Sequence, residues 1–292
     1  MLSGEEARHL ERLALGTSSA SPAVTAAGLR HARARGQGLE FQDFRHYQPG
    51  DDPRTIDWTV DARLRQLVVR VYRAEGHVRL HVLIDTSASM TLGVPTKLAC
   101  AAKIAAAFAY VAIERRDAVG VSTFDETVRE SLAPTAGRPQ LFKVLEILRR
   151  AEGQGRSDLR GALMDYGRAV RGPGLVLVCS DFFQSDAHLD GLRFLLHRGL
   201  TPAVVQVVAA DEVDPDIAAE IELADIEDPA APVVVVDRAA VDEYRRRLGR
   251  VSADLEAFCR ERGLPWMRVV SNTPFSGIVT GCVDAGLFTT HG

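Results

Sequence analysis

Between residues 78 and 270 the chain repeats one alternation: a short unbroken run of valine, leucine and isoleucine, then a longer stretch whose apolar residues recur at helical spacing. The runs VRLHVLI (78–84), AVGVSTF (118–124), LVLVC (175–179) and AVVQVVA (203–209) lack the strict alternation of a strand with one wet face. Strands buried on both faces belong to a parallel sheet with helices above and below. The pattern therefore predicts an α/β fold with a doubly wound, mostly parallel, Rossmann-like sheet. Helices are expected over 97–116, 139–150, 158–170, 189–197 and 239–262, a last strand over 266–270 and a short edge strand over 128–132. Thr96 is placed to cap the first of these helices and Gly263 to stop the last. Around Pro229-Ala230-Ala231-Pro232 the rhythm breaks, and residues 217–236 read as an inserted hairpin.

Upstream of this alternation the chain has a different character. Residues 4–15 have the spacing of a short amphipathic helix, with Leu10, Leu13 and Leu15 broadly on one side. From Gly36 to Arg73, glycines, aromatics and paired charges precede a strand-like LVVRVY, and Pro49-Gly50 suits a tight turn. Asp43, Arg45, Asp51, Asp52, Arg54, Asp57 and Arg63 are expected to hold this irregular segment through hydrogen-bonded ion pairs, with Trp58 as its core anchor. Its aromatics and its strand need burial, so the segment from Phe41 to Arg73 is expected to fold against the rest rather than hang as a tether. The expected organisation is an N-terminal extension (1–76), a main domain (77–271) and a C-terminal tail (272–292).

Chemistry concentrates where the first sheet strand ends. In Ile84-Asp85-Thr86-Ser87-Ala88-Ser89-Met90, a carboxylate and two hydroxyls at alternate positions emerge together from the sheet. Asp181 closes a second buried strand in LVLVCSD, just after Ser180, and Ser157 lies in the GRSDL loop leading into a helix. In doubly wound sheets ligands gather beyond the carboxyl ends of the strands. Two carboxylates and several hydroxyls are hard oxygen donors. They suit Mg²⁺, or another divalent cation such as Ca²⁺ or Mn²⁺, with a coordination position left for an outside ligand. The metal ligands expected are Asp85, Ser87, Ser89, Ser157 and Asp181. Read singly, each has a plainer role: an Asx turn at Asp85, a cap at Asp181, a helix N-cap at Ser157.

Composition excludes several other classes. A formal net charge of −4 argues against a general nucleic-acid binder, and the basic RHARAR (30–35) reads as a solvated arm. The N-terminus places acidic residues where a signal peptide would be positive, and Leu98–Ile113 is too short and too alanine-rich to span a bilayer. Cys100, Cys179, Cys259 and Cys282 lie far apart with no CxxC, as reduced structural thiols do, and a cytoplasmic protein is expected. The histidines form no HExxH, and His77 and His81 lie beside or within a strand, where a spacing of four does not converge, so zinc is not expected.

LIDTSASM (83–90) resembles the DxSxS motif of von Willebrand factor A domains. On that resemblance Ser157 matches the position usually held by threonine in the second metal loop, and Asp181 matches the aspartate of the third. The segment EFQDFRHYQPGDDPRTIDWTVDARLRQLVVRVYRAE (40–75) is similar to the signature of domain of unknown function family 58, a von Willebrand factor A-like family often met beside MoxR-type AAA+ ATPases. The resemblance implies a metal-dependent adaptor or assembly factor, not an enzyme. It would hold a protein partner, such as an AAA+ ATPase or its client, through a metal-bridged carboxylate. A Mg²⁺-dependent phosphohydrolase is the main alternative, but such enzymes place a second aspartate as acid/base where this chain has Ser87. A metal-free scaffold is the other.

Overall fold

Helix α1 (Gly4–Leu10) and strand β1 (Leu13–Leu15) are followed by β2 (Leu39–His46) and β3 (Val68–Ala74). The alternation then begins with β4 (Arg79–Asp85), α2 (Lys97–Glu114), β5 (Ala118–Phe124), β6 (Val128–Thr135), α3 (Arg138–Arg150), α4 (Leu159–Ala169), β7 (Gly174–Ser180), α5 (His188–His197) and β8 (Leu200–Val208). A one-turn helix α6 (Ala210–Val213), strands β9 (Ile221–Leu223) and β10 (Val234–Val236), the long α7 (Arg238–Arg262), β11 (Trp266–Val270), α8 (Phe275–Asp284) and β12 (Phe288–Thr290) complete the order. The computed structural model describes residues 3–16, 39–47, 56–58, 60, 63, 66–74, 78–183, 188–215, 221–223, 225–227, 234–236 and 238–290. They belong to two compact units, one of residues 1–21 and 78–292 and one of residues 22–77.

The larger unit is built on a six-stranded sheet ordered β11-β8-β7-β4-β5-β6. Every neighbouring pair is parallel except β5 with β6, which is antiparallel at the edge, and the expected edge strand runs on to Thr135. The central strands are mostly apolar and buried along almost their whole length because both faces are covered. On one face Leu80, Val82 and Ile84 pack with α2, α3 and α8, and on the other Leu83, Val176 and Val178 pack with α4, α5 and α7. Helix α2 is buried almost all round, which explains its alanine-rich, weakly amphipathic sequence. This is the doubly wound, mostly parallel architecture that the sequence predicted, and β9 pairs with β10 as the inserted antiparallel hairpin. No described helix is long and apolar enough to cross a membrane.

The two ends of the chain differ from expectation. The described residues 3–16 belong to the larger unit rather than to an extension ending at 76, and 272–290 is no mere tail. The physical reason is apolar burial. Leu10, Leu13 and Leu15 enter the main core, β1 pairs antiparallel with β12, and Phe288 stacks on Phe108 of α2 at 4.3 Å between ring centroids. Each such side chain is worth about 2 kcal/mol of burial, enough to hold a short terminal strand in place.

In the smaller unit, β2 and β3 form an antiparallel ladder from Leu39–Ala74 to His46–Val68, with a bulge between Phe41 and Asp43. Ile56 bridges to Val69, and the Asp57 amide donates to the Val68 carbonyl at 2.9 Å. Of the charged cluster, Asp57 is buried and its carboxylate accepts the Val60 amide at 3.4 Å, a bond to local backbone where ion pairs were expected. Asp51, Asp52 and Arg54 lie outside the described residues. Trp58 is not the core anchor expected: it is 61% exposed, because the inward position on this turn is taken by its neighbour Asp57.

Candidate metal centre

Strand β4 is the point at which the winding reverses, with β5 on one side and β7 on the other. Ile84 is level with Cys179 in the parallel ladder, so Asp85 and the Ser180-Asp181 pair leave the sheet side by side. Beyond them the chain turns into a single 3-10 turn (Ala88–Thr91). The second loop is stapled to the first through backbone bonds from Ala88 N to Gly155 O (2.9 Å) and from Gln154 N to Thr86 O (2.8 Å). Gly155 makes this approach with φ +72°, a conformation open to glycine at little cost.

The five residues expected at the site come together in one hydrogen-bonded group. The Asp85 carboxylate, with no exposed surface, accepts from Ser87 N (2.9 Å) on Oδ1 and from Ser180 Oγ (2.6 Å) and Ser157 Oγ (3.1 Å) on Oδ2. Ser87 Oγ lies 3.1 Å from Ser89 Oγ, and Ser89 donates to Asp181 Oδ2 at 3.0 Å. Asp181 Oδ1 accepts the Phe183 amide at 3.1 Å. Phe182 between them has φ 58°, a strained value for a bulky residue and placed where strain often marks a functional loop. Asp158 does not join the group. It caps α4 through Gly161 N at 2.9 Å, which leaves Ser157 free of the capping role.

The electrostatics of the two carboxylates differ. Among the described residues, no basic group is in contact with Asp85. Burial, followed by the negative charge of Asp181, pushes its pKa up to about 6, against the pull of hydrogen bonds from Ser180 and Ser87. Asp181 instead meets the Lys97 ammonium at 2.8 Å, and the same ammonium lies 2.6 Å from Glu212 Oε1. Burial alone would lower the pKa of Lys97, but Asp181 and Glu212 outweigh it and raise it. Glu227, from the inserted segment, approaches the second loop, accepting from Ser157 N at 3.4 Å.

The donor set fits a hard divalent cation of low charge demand. Asp85 is a buried charge with no cationic partner among the described residues, a costly state that a bound cation would relieve. Serine hydroxyls whose protons go to Asp85 and Asp181 keep lone pairs for a metal. Among the described residues no three His, Cys, Asp or Glu side chains gather as a carboxylate-rich or soft cage. Sequence reasoning missed Lys97 and Glu212. A signal for Lys97 was present, since a lysine as the first residue of an apolar helix opposes the helix dipole and asks for local anions. Glu212 sits on a one-turn helix with no periodicity to mark it.

Residues 43–254 match the model of the family described as "Protein of unknown function DUF58". Among curated proteins, the uncharacterized protein Rv1480 of Mycobacterium tuberculosis is 26% identical over 235 residues, 79% of this chain and 74% of that one. Among solved structures, the conserved hypothetical protein BatB from Bacteroides thetaiotaomicron aligns with a TM-score of 0.43 and 15% identity, covering 71% of this chain and 98% of that one. An aerotolerance-related membrane protein from Bacteroides fragilis aligns with a TM-score of 0.43 and 17% identity, covering 71% and 99%.

Proposed function

The chain belongs to the DUF58 family of proteins of unknown function, and we propose that it is a metal-dependent protein-binding adaptor. In this reading Asp85, Ser87, Ser89, Ser157 and Asp181 hold Mg²⁺ directly or through water, and a partner's Asp or Glu completes the coordination. The observation that supports it most is Asp85: a fully buried carboxylate at the switch point of the sheet, ringed by serine donors and, among the described residues, touched by no base. The metal would supply a fixed positive charge that attracts an external carboxylate, and the protein would supply a rigid, hydroxyl-lined cradle. The family resemblance points to a MoxR-type AAA+ ATPase, or its client, as that partner, and to an intracellular setting that suits four free, buried cysteines. We assign no catalysis: the position a phosphohydrolase would give to its acid/base holds Ser87, hydrogen-bonded to Ser89.

The test is binding of a candidate ATPase to wild type with Mg²⁺, to wild type in chelator, and to Asp85→Ala with Mg²⁺. Binding in the first condition alone is expected. Equal binding in all three would replace metal-bridged adhesion by a metal-free scaffold.

A further inference from the structure

We infer that Lys97 is a resident counter-cation of this centre: its ammonium neutralises the Asp181–Glu212 side and thereby sets how strongly the site holds a divalent ion. The inference rests on the metal-centre reading above and adds to it the residue that tunes affinity. Lysine at the first position of a helix normally turns outward, because the helix amino end repels a cation and water solvates it. Here the entire side chain is buried and the ammonium lies between two carboxylates, at 2.8 and 2.6 Å. Glu212 is itself positioned, since its other oxygen accepts Ala209 N at 2.7 Å at the end of β8. Lys97 therefore ties together the start of α2, the end of β7 and the turn after β8.

The charge of Lys97 acts on the cation site through a short relay. Lys97 Nζ donates to Asp181 Oδ2, that oxygen accepts Ser89 Oγ–H at 3.0 Å, and Ser89 meets Ser87 at 3.1 Å. With its charge already matched, Asp181 also accepts the Ser89 hydroxyl hydrogen bond and so turns the lone pairs of that hydroxyl toward the ion. The Lys97 ammonium offsets one of the negative charges that Asp85, Asp181 and Glu212 bring to this side of the site. Replacing Lys97 by an apolar residue adds one negative charge. The site should then bind cations more tightly and be less stable without them.

Calorimetric titration of the full chain with Mg²⁺ and with Mn²⁺, together with thermal melting in chelator, tests this on wild type, Lys97→Met, Glu212→Gln, Lys97→Met/Glu212→Gln and Asp85→Ala. Lys97→Met should bind about tenfold more tightly than wild type and melt lower in chelator. Glu212→Gln, which removes a partly exposed carboxylate and keeps the lysine, should bind several-fold more weakly, an arm that stands even if Lys97→Met does not fold. The double variant restores the net charge and should return to within a few-fold of wild type, a rescue that a purely structural role for Lys97 would not produce. Unchanged or weaker binding in Lys97→Met, with wild type binding and Asp85→Ala not, would overturn the role of Lys97 and leave the metal centre standing. Binding by Lys97→Met alone would uphold the counter-cation and overturn metal-bridged adhesion for the natural chain. No binding by any variant would overturn both.

Discussion

At the scale of single residues, the structure separates charges that are matched from charges that are not. Asp85 is held ionised by serine and amide donors, with Asp181 nearby and opposing it. Asp85→Asn keeps the shape and removes the charge, so it should stabilise the protein in chelator by roughly 1–3 kcal/mol above pH 7 and abolish the rise in melting temperature that the proposed Mg²⁺ site should give wild type. Calorimetric melting with and without Mg²⁺ checks both halves. His81 is the opposite case, a buried neutral base whose Nδ1 meets the Tyr166 hydroxyl at 2.8 Å. Burial and then Arg79 lower its pKa from 6.5 to about 4. The unfolded chain takes up this proton at a higher pH than the folded one. The stability contributed by the neutral form is thus full above pH 6.5 and lost as pH falls toward 4, by up to about 3 kcal/mol. Urea unfolding of wild type and His81→Gln at pH 7 and pH 4.5 should show a steeper acid loss in wild type.

At the scale of elements, burial on both faces made the sheet readable and close backbone approach did not. Strands β4, β5, β7 and β8 announce themselves as apolar runs, and the ends of β4 and β7 announce the site, since Asp85 and Asp181 follow directly on those runs. Trp58 was misread because a lone aromatic in a charged segment does not say which side of a turn it occupies. The terminal strand β12 was missed because Phe288–Thr290 is too short for any period to show; its pairing with β1 is a tertiary fact. Gly120 is another case hidden from the sequence. It lies where the β5–β6 register shifts, and a Cβ there would stand 2.3 Å from the Leu132 carbonyl oxygen. Gly120→Ala should cost about 2–4 kcal/mol, because backbone rather than a movable side chain is in the way. Gly249, inside the exposed side of α7 with nothing near its Cβ position, should do the reverse: Gly249→Ala should gain roughly 0.5–1 kcal/mol. Parallel denaturant melts of the two variants decide both.

At the scale of the whole molecule, the four cysteines measure how tightly the larger unit is closed. All are buried and unpaired, and burial pushes their thiols up, that of Cys100 to about 11 and those of Cys259 and Cys282 to about 12, with Cys179 displaced in the same direction. Little thiolate exists at pH 8 in such sites, so a thiol reagent should label the native protein slowly, at the rate of opening, and label all four in denaturant. Fast labelling of any one in the native state would show that its surroundings open locally. The outer strand β6 bears on a different property, colloidal behaviour. The boundary of a sheet is a template on which another chain can zip up, and a flat apolar one seeds fibres. Here that boundary offers Arg129 and Glu130, then Pro134, which has no amide hydrogen to share, along a strand exposed through most of its length. Such a margin resists being extended by a stranger's backbone, so this side of the sheet is guarded against edge-to-edge assembly by its own side chains and by one missing amide hydrogen.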